Sequence, residues 1–325
     1  MAERPRGGTA RLARALGPAA GLVAVVLLFA LLTGAPERYL SGANLRVVLA
    51  QTIIVGLGAI GMTLVMISGG IDLSVGANVA LTGVIAALAL RAGWPPAAAA
   101  AAGVAAGGAV GLVNGAAITG LRIVPFIATL GMLGVARGAA KYFASEQSVN
   151  PPPTWLNGLA VTFPSRAWML IAPGVWITVG LAVLMALVLR RTVFGRHAFA
   201  VGSNEAAARA CGVAVDRVKI AVYAVGGLFF GLAGVMQMSR LRQGDPTVAL
   251  GVELDVIAAV VIGGGSLSGG EGSVAGSLVG ALIMSMLRNG CQQMGWPTYV
   301  QEIIIGVIIV LAVAADRFRA SRAAE

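Results

Sequence analysis

The sequence predicts an all-α fold, a polytopic bundle of transmembrane helices, and three observations support this prediction. Hydrophobic residues make up 58% of the 325 positions and charged residues only 11%, with a mean hydropathy of +0.89. A soluble domain carries about 25% charged residues. Apolar runs of membrane-spanning length recur along the whole chain. Arginine clusters flank these runs and form no continuous stripe, which argues against nucleic acid as a partner.

Ten apolar runs approach the roughly 17–25 residues that a helix needs to cross a bilayer. They lie at about 18–34, 47–67, 73–90, 97–118, 125–143, 169–189, 217–238, 248–264, 273–288 and 299–315. The eighth and ninth runs are short, and glycine interrupts both. We therefore expect about ten spans, with a range of eight to ten if one of these two is re-entrant or half-length.

Positive charge predicts the orientation, because basic residues concentrate on the cytoplasmic side of membrane proteins. With the N-terminus inside, ten spans place 14 Lys and Arg residues in inside segments and 8 in outside segments, while Arg137 lies within a span. The predicted arrangement is a cytoplasmic tail at 1–17, a transmembrane domain at 18–315 and a cytoplasmic tail at 316–325. The longest inside loop covers 190–216.

Two series of glycines recur at every fourth position. Each series forms a smooth stripe on one helix face, where a second backbone can approach closely. The fourth run contains Gly103, Gly107, Gly111 and Gly115, and the ninth contains Gly272, Gly276 and Gly280. We interpret both series as helix-packing surfaces without contact to a substrate.

Paired glycines interrupt the helices at 69–76 and 263–270, and the two segments agree at five of eight positions. Either an ancient duplication or the independent use of the same helix-breaking sequence in two places explains this agreement. Unwound backbone in a membrane protein lines a wet cavity or is covered by protein. The candidate residues of a substrate pathway or gate are Asp72, Ser74, Asn78, Ser266 and Ser268. For Asp72 a second interpretation is a cap for the following helix.

Residues that carry out chemistry are scarce in this chain. One histidine, His197, and two separated cysteines assemble no metal site. Neither lysine follows a glycine, as the phosphate-binding P-loop requires. We expect a transport protein that is not an enzyme and binds no cofactor, so that ATP and Mg²⁺ belong to a partner. Too few intramembrane carboxylates are present to favour an ion-coupled secondary carrier.

A short helix is predicted inside the long loop. Ser203 or Asn204 caps a helix over 205–211, Gly212 ends it, and Glu205 is spaced to pair with Arg209 four residues later. Such a helix is too short to span the membrane and suits the docking of a partner. The candidate coupling residues are Gly202, Ser203, Asn204, Glu205, Ala206, Ala207, Arg209 and Gly212.

Several stretches resemble the ribose-type sugar permeases of bacterial ATP-binding-cassette importers. They are 61–65 with 69–76, 125–132, 202–207, and 253–264 with 266–270, and together they cover about 45–315. Ser203 departs from the pattern, because the family often has a second glycine there.

The resemblance implies a multi-pass permease of the bacterial inner membrane, which moves a monosaccharide by alternating access. It implies three protein partners: a second permease copy or a paralogue, a cytoplasmic ATPase and a periplasmic sugar-binding protein. The segment 204–212 corresponds to the family's coupling helix. Two alternatives stay open: a permease of the same family for a non-sugar solute such as a branched-chain amino acid, and, with less support, an ion-coupled transporter.

Overall fold

The structure is a computed structural model, and it describes residues 8–163 and 169–324. Those two ranges contain thirteen α-helices, a 3-10 helix at Trp155–Gly158 and no strand beyond one isolated bridge between Val149 and Gly244. The helices are α1 (Gly8–Leu32), α2 (Pro36–Tyr39), α3 (Gly42–Ile67), α4 (Val75–Arg91), α5 (Pro96–Gly120), α6 (Pro125–Phe143), α7 (Pro173–Arg191), α8 (Val193–Ser203), α9 (Glu205–Ala210), α10 (Val215–Leu241), α11 (Val252–Ile262), α12 (Val274–Gln293) and α13 (Thr298–Ala324). The all-α prediction is confirmed.

Each of the ten predicted runs contains a helix. Within the described residues, five helices are long and apolar enough to cross a membrane, namely α3, α5, α7, α10 and α12. The eighth run is the half-length one, because α11 has eleven residues, or roughly 16 Å at 1.5 Å per residue. The hydrocarbon core of a bilayer is about 30 Å thick.

The structure adds helix in three places where the sequence predicts loop or tail. Helix α8 fills part of the loop 190–216, and its residues Ala198 and Val201 are buried. Helices α1 and α13 continue into the predicted tails at 1–17 and 316–325. Arginine and alanine, which are abundant in both tails, favour helix. Residues 1–7 and 325 lie outside the described residues.

Helices α3 and α10 form the centre of the bundle. Every residue of α3 from Ile53 to Ile67 is buried, and α10 packs against α3, α4 and α5. Helix α12 lies against α1, α3 and α11. Large apolar side chains such as Phe126, Trp176 and Val310 remain exposed on the peripheral helices α6, α7 and α13. Exposed apolar surface of this kind is typical of contact with a membrane.

Three glycines of the α5 series, Gly107, Gly111 and Gly115, face the backbone of α10, whereas Gly103 faces the Thr82 carbonyl of α4. A Cβ atom added at Gly107 would lie 2.6 Å from the Cα atom of Gly231, and one added at Gly115 would lie 2.7 Å from that of Ile220. Real Cβ atoms do not approach other atoms this closely. The two helices are therefore in direct backbone contact, which only glycine on α5 permits.

The glycine series of α12 also lies at helix contacts. Gly276 and Gly280 approach the backbone of α11 at Gly263 and Ala259, whereas Gly272 faces the side chain of Ile67 on α3. This packing holds the α11–α12 hairpin against the central helix.

Candidate functional site

The segment between α7 and α10 folds as two short helices, α8 and α9, which meet at Asn204. The side chain of Asn204 accepts a hydrogen bond from the Ala207 amide at 2.9 Å and so caps the start of α9. Ser203 is the last residue of α8 and forms no such cap. Gly212 follows the end of α9 with a φ of +82°, a conformation that favours glycine.

Four charged side chains connect α9 to the start of α10, and we call them the coupling network: Glu205, Arg209, Asp216 and Lys219. Lys219 Nζ lies 2.6 Å from Glu205 Oε2. Arg209 Nη2 contacts Glu205 at 3.3 Å and Asp216 at 3.1 Å. The hydrogen bond from Lys219 lowers the pKa of Glu205 below its ordinary value of 4.5. The carboxylate is therefore charged at neutral pH.

The outer face of α9 carries small, exposed side chains. Ala206, Ala207 and Ala210 are exposed, whereas Ala208 packs against the hydrophobic core. Methyl groups on an exposed helix allow another protein to approach its backbone closely.

Three backbone segments meet beside α9, and we call this contact the glycine junction: 67–70, 202–203 and 269–270. The Gly270 amide donates a hydrogen bond to the Ile67 carbonyl at 2.9 Å. A Cβ atom at Gly202 would collide with that carbonyl and lie 2.7 Å from the Gly270 amide. A Cβ atom at Gly269 would lie 2.8 Å from the Cα atom of Gly69. The end of α3, the end of α8 and the α11–α12 turn are thus in direct contact.

Asp72 holds the buried turn that leads from α3 into α4. Its Oδ1 atom accepts hydrogen bonds from the Ser74 amide at 2.8 Å and the Ser74 hydroxyl at 2.6 Å. Its Oδ2 atom accepts one from the Asn114 amide at 3.2 Å. Asn78, one turn further on, donates to the Gly107 carbonyl at 3.3 Å. Ser74 precedes the first residue of α4, so the Asp72 carboxylate holds the turn and does not bind the free amides of the helix. The capping interpretation and a role in the pathway both stay predictions.

Ser266 and Ser268 lie in the turn between α11 and α12, where the Ser266 hydroxyl accepts from the Ser268 amide at 3.2 Å. The glycine junction joins this turn to the break at 69–76. The other end of the break at 69–76 reaches into the bundle, because a Cβ atom added at Gly76 would collide with the Ala249 carbonyl in the loop before α11. Ser266 and Ser268 lie at the end of the bundle that carries α9, whereas Asn78 lies deeper, because Gly107, to which it donates, is halfway along α5.

A polar cavity of about 220 Å³ lies at the opposite end of the bundle. Gln237, which lines it, is 22 residues beyond the start of α10 at Val215, or roughly 33 Å at 1.5 Å per residue. The lining residues come from α3, α10, α11, α12 and the loop before α11: Gln51, Ile54, Val55, Gln237, Arg240, Ala249, Leu250, Val252, Asp255, Ser285, Arg288 and Gln292.

An ion pair between the partly exposed Arg288 and the buried Asp255 lines the cavity. Arg288 donates from Nε and Nη2 to Asp255 Oδ2 at 2.8 Å and 2.7 Å. The other carboxylate oxygen, Asp255 Oδ1, is buried and has no hydrogen-bond partner among the described residues. A buried polar atom of this kind calls for an explanation.

A comparison with protein families decides the identity of the chain. The family model described as "Branched-chain amino acid transport system / permease component" matches residues 44–313. The chain belongs to this permease family.

Individual relatives of the permease are sugar transporters. It is 40% identical to the ribose import permease protein of Escherichia coli strain K12, over 91% of this chain and 92% of the relative. It is 38% identical to the L-arabinose ABC transporter permease protein of Azospirillum brasilense, over 97% and 91% of the two chains. The fructose import permease protein of Rhizobium meliloti is 34% identical, over 91% and 83%. No solved structure matches the permease.

These matches confirm the resemblance to ribose-type permeases and the prediction that the permease is a transport protein and not an enzyme. The polar cavity is what the sequence did not reveal. Its glutamines and arginines lie on α3, α10 and α12, and no sequence motif connects them. Only the fold brings Gln51, Asp255 and Arg288 together.

Proposed function

We propose that this chain is the transmembrane permease subunit of an ATP-binding-cassette importer that carries a monosaccharide into the bacterial cell. The observation that carries the proposal is the exposed helix α9, connected by ion pairs to α10 and by the glycine junction to α3 and the α11–α12 turn. The sugars in the names of three relatives support a monosaccharide as the cargo.

The permease spans the inner membrane about ten times, with both termini in the cytoplasm. Support comes from the helices at all ten predicted runs and from the bias of basic residues towards inside segments. In this orientation α9 lies in the cytoplasm and the polar cavity faces the periplasm. The transmembrane domain covers 18–315, and lipid surrounds its exposed apolar helices.

An ATPase docks on the cytoplasmic surface and receives α9 in a groove. This partner binds ATP and Mg²⁺, because the permease has only two lysines and neither lies in a P-loop. A second permease copy or a paralogue completes the pore, and a periplasmic sugar-binding protein delivers the cargo.

Transport follows alternating access. Closure of the ATPase displaces α9, and the coupling network passes this displacement to α10. The glycine junction passes it to α3 and to the α11–α12 hairpin, because backbones in contact without intervening side chains move together. The two helix breaks, with Asp72, Ser74, Asn78, Ser266 and Ser268, act as the gate of the pathway.

The test is uptake into proteoliposomes that contain the permease, its ATPase and its binding protein, with labelled ribose, L-arabinose, fructose or leucine. We expect ATP-dependent uptake of a sugar. Uptake of leucine alone would support the non-sugar alternative, and uptake driven by an ion gradient without the ATPase would overturn the proposal.

The docking role of α9 is tested at Ala207, which is exposed. Replacing it with a bulky side chain, Ala207→Trp, should reduce uptake to background and abolish stimulation of the ATPase, because the helix no longer fits its groove. Ala207→Ser is the matched control and should retain both activities. Normal uptake and normal stimulation in Ala207→Trp would contradict the docking role.

A further inference from the structure

The turn between α7 and α8 carries three exposed arginines, and we call them the arginine corner: Arg190, Arg191 and Arg196. None of the ion pairs in the described part of the chain involves them. The sequence contains no Asp or Glu between Glu146 and Glu205. The segment that forms the corner therefore supplies no negative charge to balance it.

The fold holds the arginines of the corner close together. The Thr192 hydroxyl accepts a hydrogen bond from the Gly195 amide at 3.2 Å and so caps the start of α8. A Cβ atom added at Gly195 would lie 2.5 Å from the Cα atom of Leu189, so the first turn of α8 lies directly against the last turn of α7. Arg190 follows Leu189 and Arg196 follows Gly195. Their Cα atoms are therefore within roughly 12 Å of each other, because consecutive Cα atoms are about 3.8 Å apart. Two arginine side chains can span this distance and meet at one anion.

The arginine corner lies at the end of an apolar surface of α7. This helix packs against α3, α8 and α12, and the rest of its surface exposes large apolar side chains that recur every three or four residues, namely Trp176, Val179, Val183 and Leu187. Beside the arginines, Val193 is 54% exposed. An apolar stripe that ends in arginines is typical of a helix that passes from the lipid tails to the headgroups.

The chemistry of the corner matches an anion that is joined to an apolar chain. Guanidinium groups bind phosphate through paired N–H donors. Anionic phospholipids supply phosphate at the membrane surface, where basic residues next to a membrane-spanning helix bind them. An acidic protein surface or a free phosphate ion would balance the charge but would leave Val193 and the apolar stripe uncovered. A phospholipid satisfies both parts of the surface.

We propose that the arginine corner binds the phosphate headgroup of an anionic phospholipid, such as phosphatidylglycerol, and that this lipid braces α8 against α7. Helix α8 ends at Ser203, which contacts Gly270 of the glycine junction, and Asn204 then caps α9. A lipid that fixes the start of α8 therefore fixes the base on which α9 moves. This inference rests on the proposed import function and adds a dependence of coupling on anionic lipid.

Lipid binding is measured without transport, by native mass spectrometry of the permease released from nanodiscs of phosphatidylcholine and phosphatidylglycerol. The glutamine variant combines Arg190→Gln, Arg191→Gln and Arg196→Gln. It should retain one phosphatidylglycerol fewer per chain than the wild type, because three basic residues at a membrane surface account for about a hundredfold in lipid affinity. The lysine variant, with lysine at the same three positions, is the matched control. It keeps the charge and should retain the lipid.

Coupling is measured as sugar uptake per hydrolysed ATP in proteoliposomes of phosphatidylcholine with and without phosphatidylglycerol. Omitting phosphatidylglycerol should lower this ratio severalfold for the wild type and the lysine variant. The glutamine variant should show the low ratio in both membranes. Inorganic phosphate added to vesicles of phosphatidylcholine alone should not restore the ratio, and restoration would mean that the corner binds a free anion and not a lipid.

A glutamine variant that retains as much phosphatidylglycerol as the wild type would overturn the lipid site. A glutamine variant that responds normally to phosphatidylglycerol but binds the ATPase less tightly would assign the corner to the ATPase instead. If the triple variant accumulates poorly, Arg196→Gln alone decides the matter, and it should weaken both lipid retention and the response to the lipid. A wild-type complex that takes up no sugar in either membrane would contradict the proposed function, whereas lipid retention tests the arginine corner independently of uptake.

Discussion

The Glu205 carboxylate contacts two basic residues of the coupling network. It contacts Lys219 on α10 and Arg209 on α9 itself, and Arg209 reaches on to Asp216. Because the pKa of Glu205 is lowered, the stabilisation is fully present above its ordinary value of 4.5 and is lost only as pH falls through the lower folded value. The Glu205 carboxylate therefore keeps its charge and its ion pairs at neutral pH.

Removal of the Lys219 ammonium should loosen α9 from α10. An exposed ion pair contributes roughly 0.2–1 kcal/mol, so Lys219→Met should leave the amount of folded protein nearly unchanged. We expect sugar uptake per hydrolysed ATP to fall, because the displacement of α9 reaches α10 less efficiently. Arg217→Met is the matched control, since it removes a positive charge from the same turn outside the coupling network. If sugar uptake per hydrolysed ATP is the same in Lys219→Met and Arg217→Met, this role for Lys219 is refuted.

Local residue patterns predicted part of this site and not the rest. Residues 204–212 carry a cap, an i,i+4 pair and a terminal glycine, and all three signals act within nine positions, so the sequence alone predicted α9. The contact from Glu205 to Lys219 spans fourteen residues and depends on how α9 packs on α10. The side chain of Arg137 illustrates the same limit, because its partners are the distant carbonyls of Pro246 and Val248.

At the scale of helices, glycine spacing identified which face of α5 packs but not what it packs against. The partner on α10 includes Gly227 and Gly231, and no rule of spacing relates residues in helices so far apart in the sequence. No local pattern predicts the glycine junction, because it joins Ile67, Gly202 and Gly270, which are far apart in the sequence. The sequence showed the break at 263–270, but only the fold shows which residues contact it.

A methyl group in the α5–α10 contact should destabilise the bundle. A Cβ atom at Gly111 would collide with the Tyr223 carbonyl and lie 3.1 Å from the Cα atom of Gly227, so Gly111→Ala should cost about 1–3 kcal/mol, as overpacked cores do. Gly131→Ala is the matched control, because no other group lies within 4 Å of its added methyl. Thermal unfolding in lipid nanodiscs should show a lower Tm for Gly111→Ala only. Equal Tm values would mean that the α5–α10 contact accepts a methyl group without a loss of stability, which would contradict this prediction.

The molecule as a whole has two functional ends, and composition alone anticipated the membrane between them. Scarce charge and recurring apolar runs follow directly from lipid as the solvent, so the all-α bundle was predictable. Local spacing also placed the coupling helix. The cavity was not predictable, because its polar residues become neighbours only when α3, α10, α11 and α12 assemble. Its distance from α9 is what makes a transport cycle between the two ends physically reasonable.

This arrangement predicts that α10 carries the chain across the membrane between Cys211 and Thr247. Its 27 residues measure roughly 40 Å at 1.5 Å per residue, longer than the hydrocarbon core of about 30 Å. In a Cys291→Ala background, an impermeant maleimide should label the exposed Cys211 only in inside-out vesicles. Thr247→Cys, with both native cysteines replaced by alanine, should be labelled only in right-side-out vesicles. Permeabilised vesicles, in which both positions must react, provide the control. Labelling of both positions from the same side would exclude a span at α10, and with it the separation of cavity and coupling helix on which the transport cycle depends.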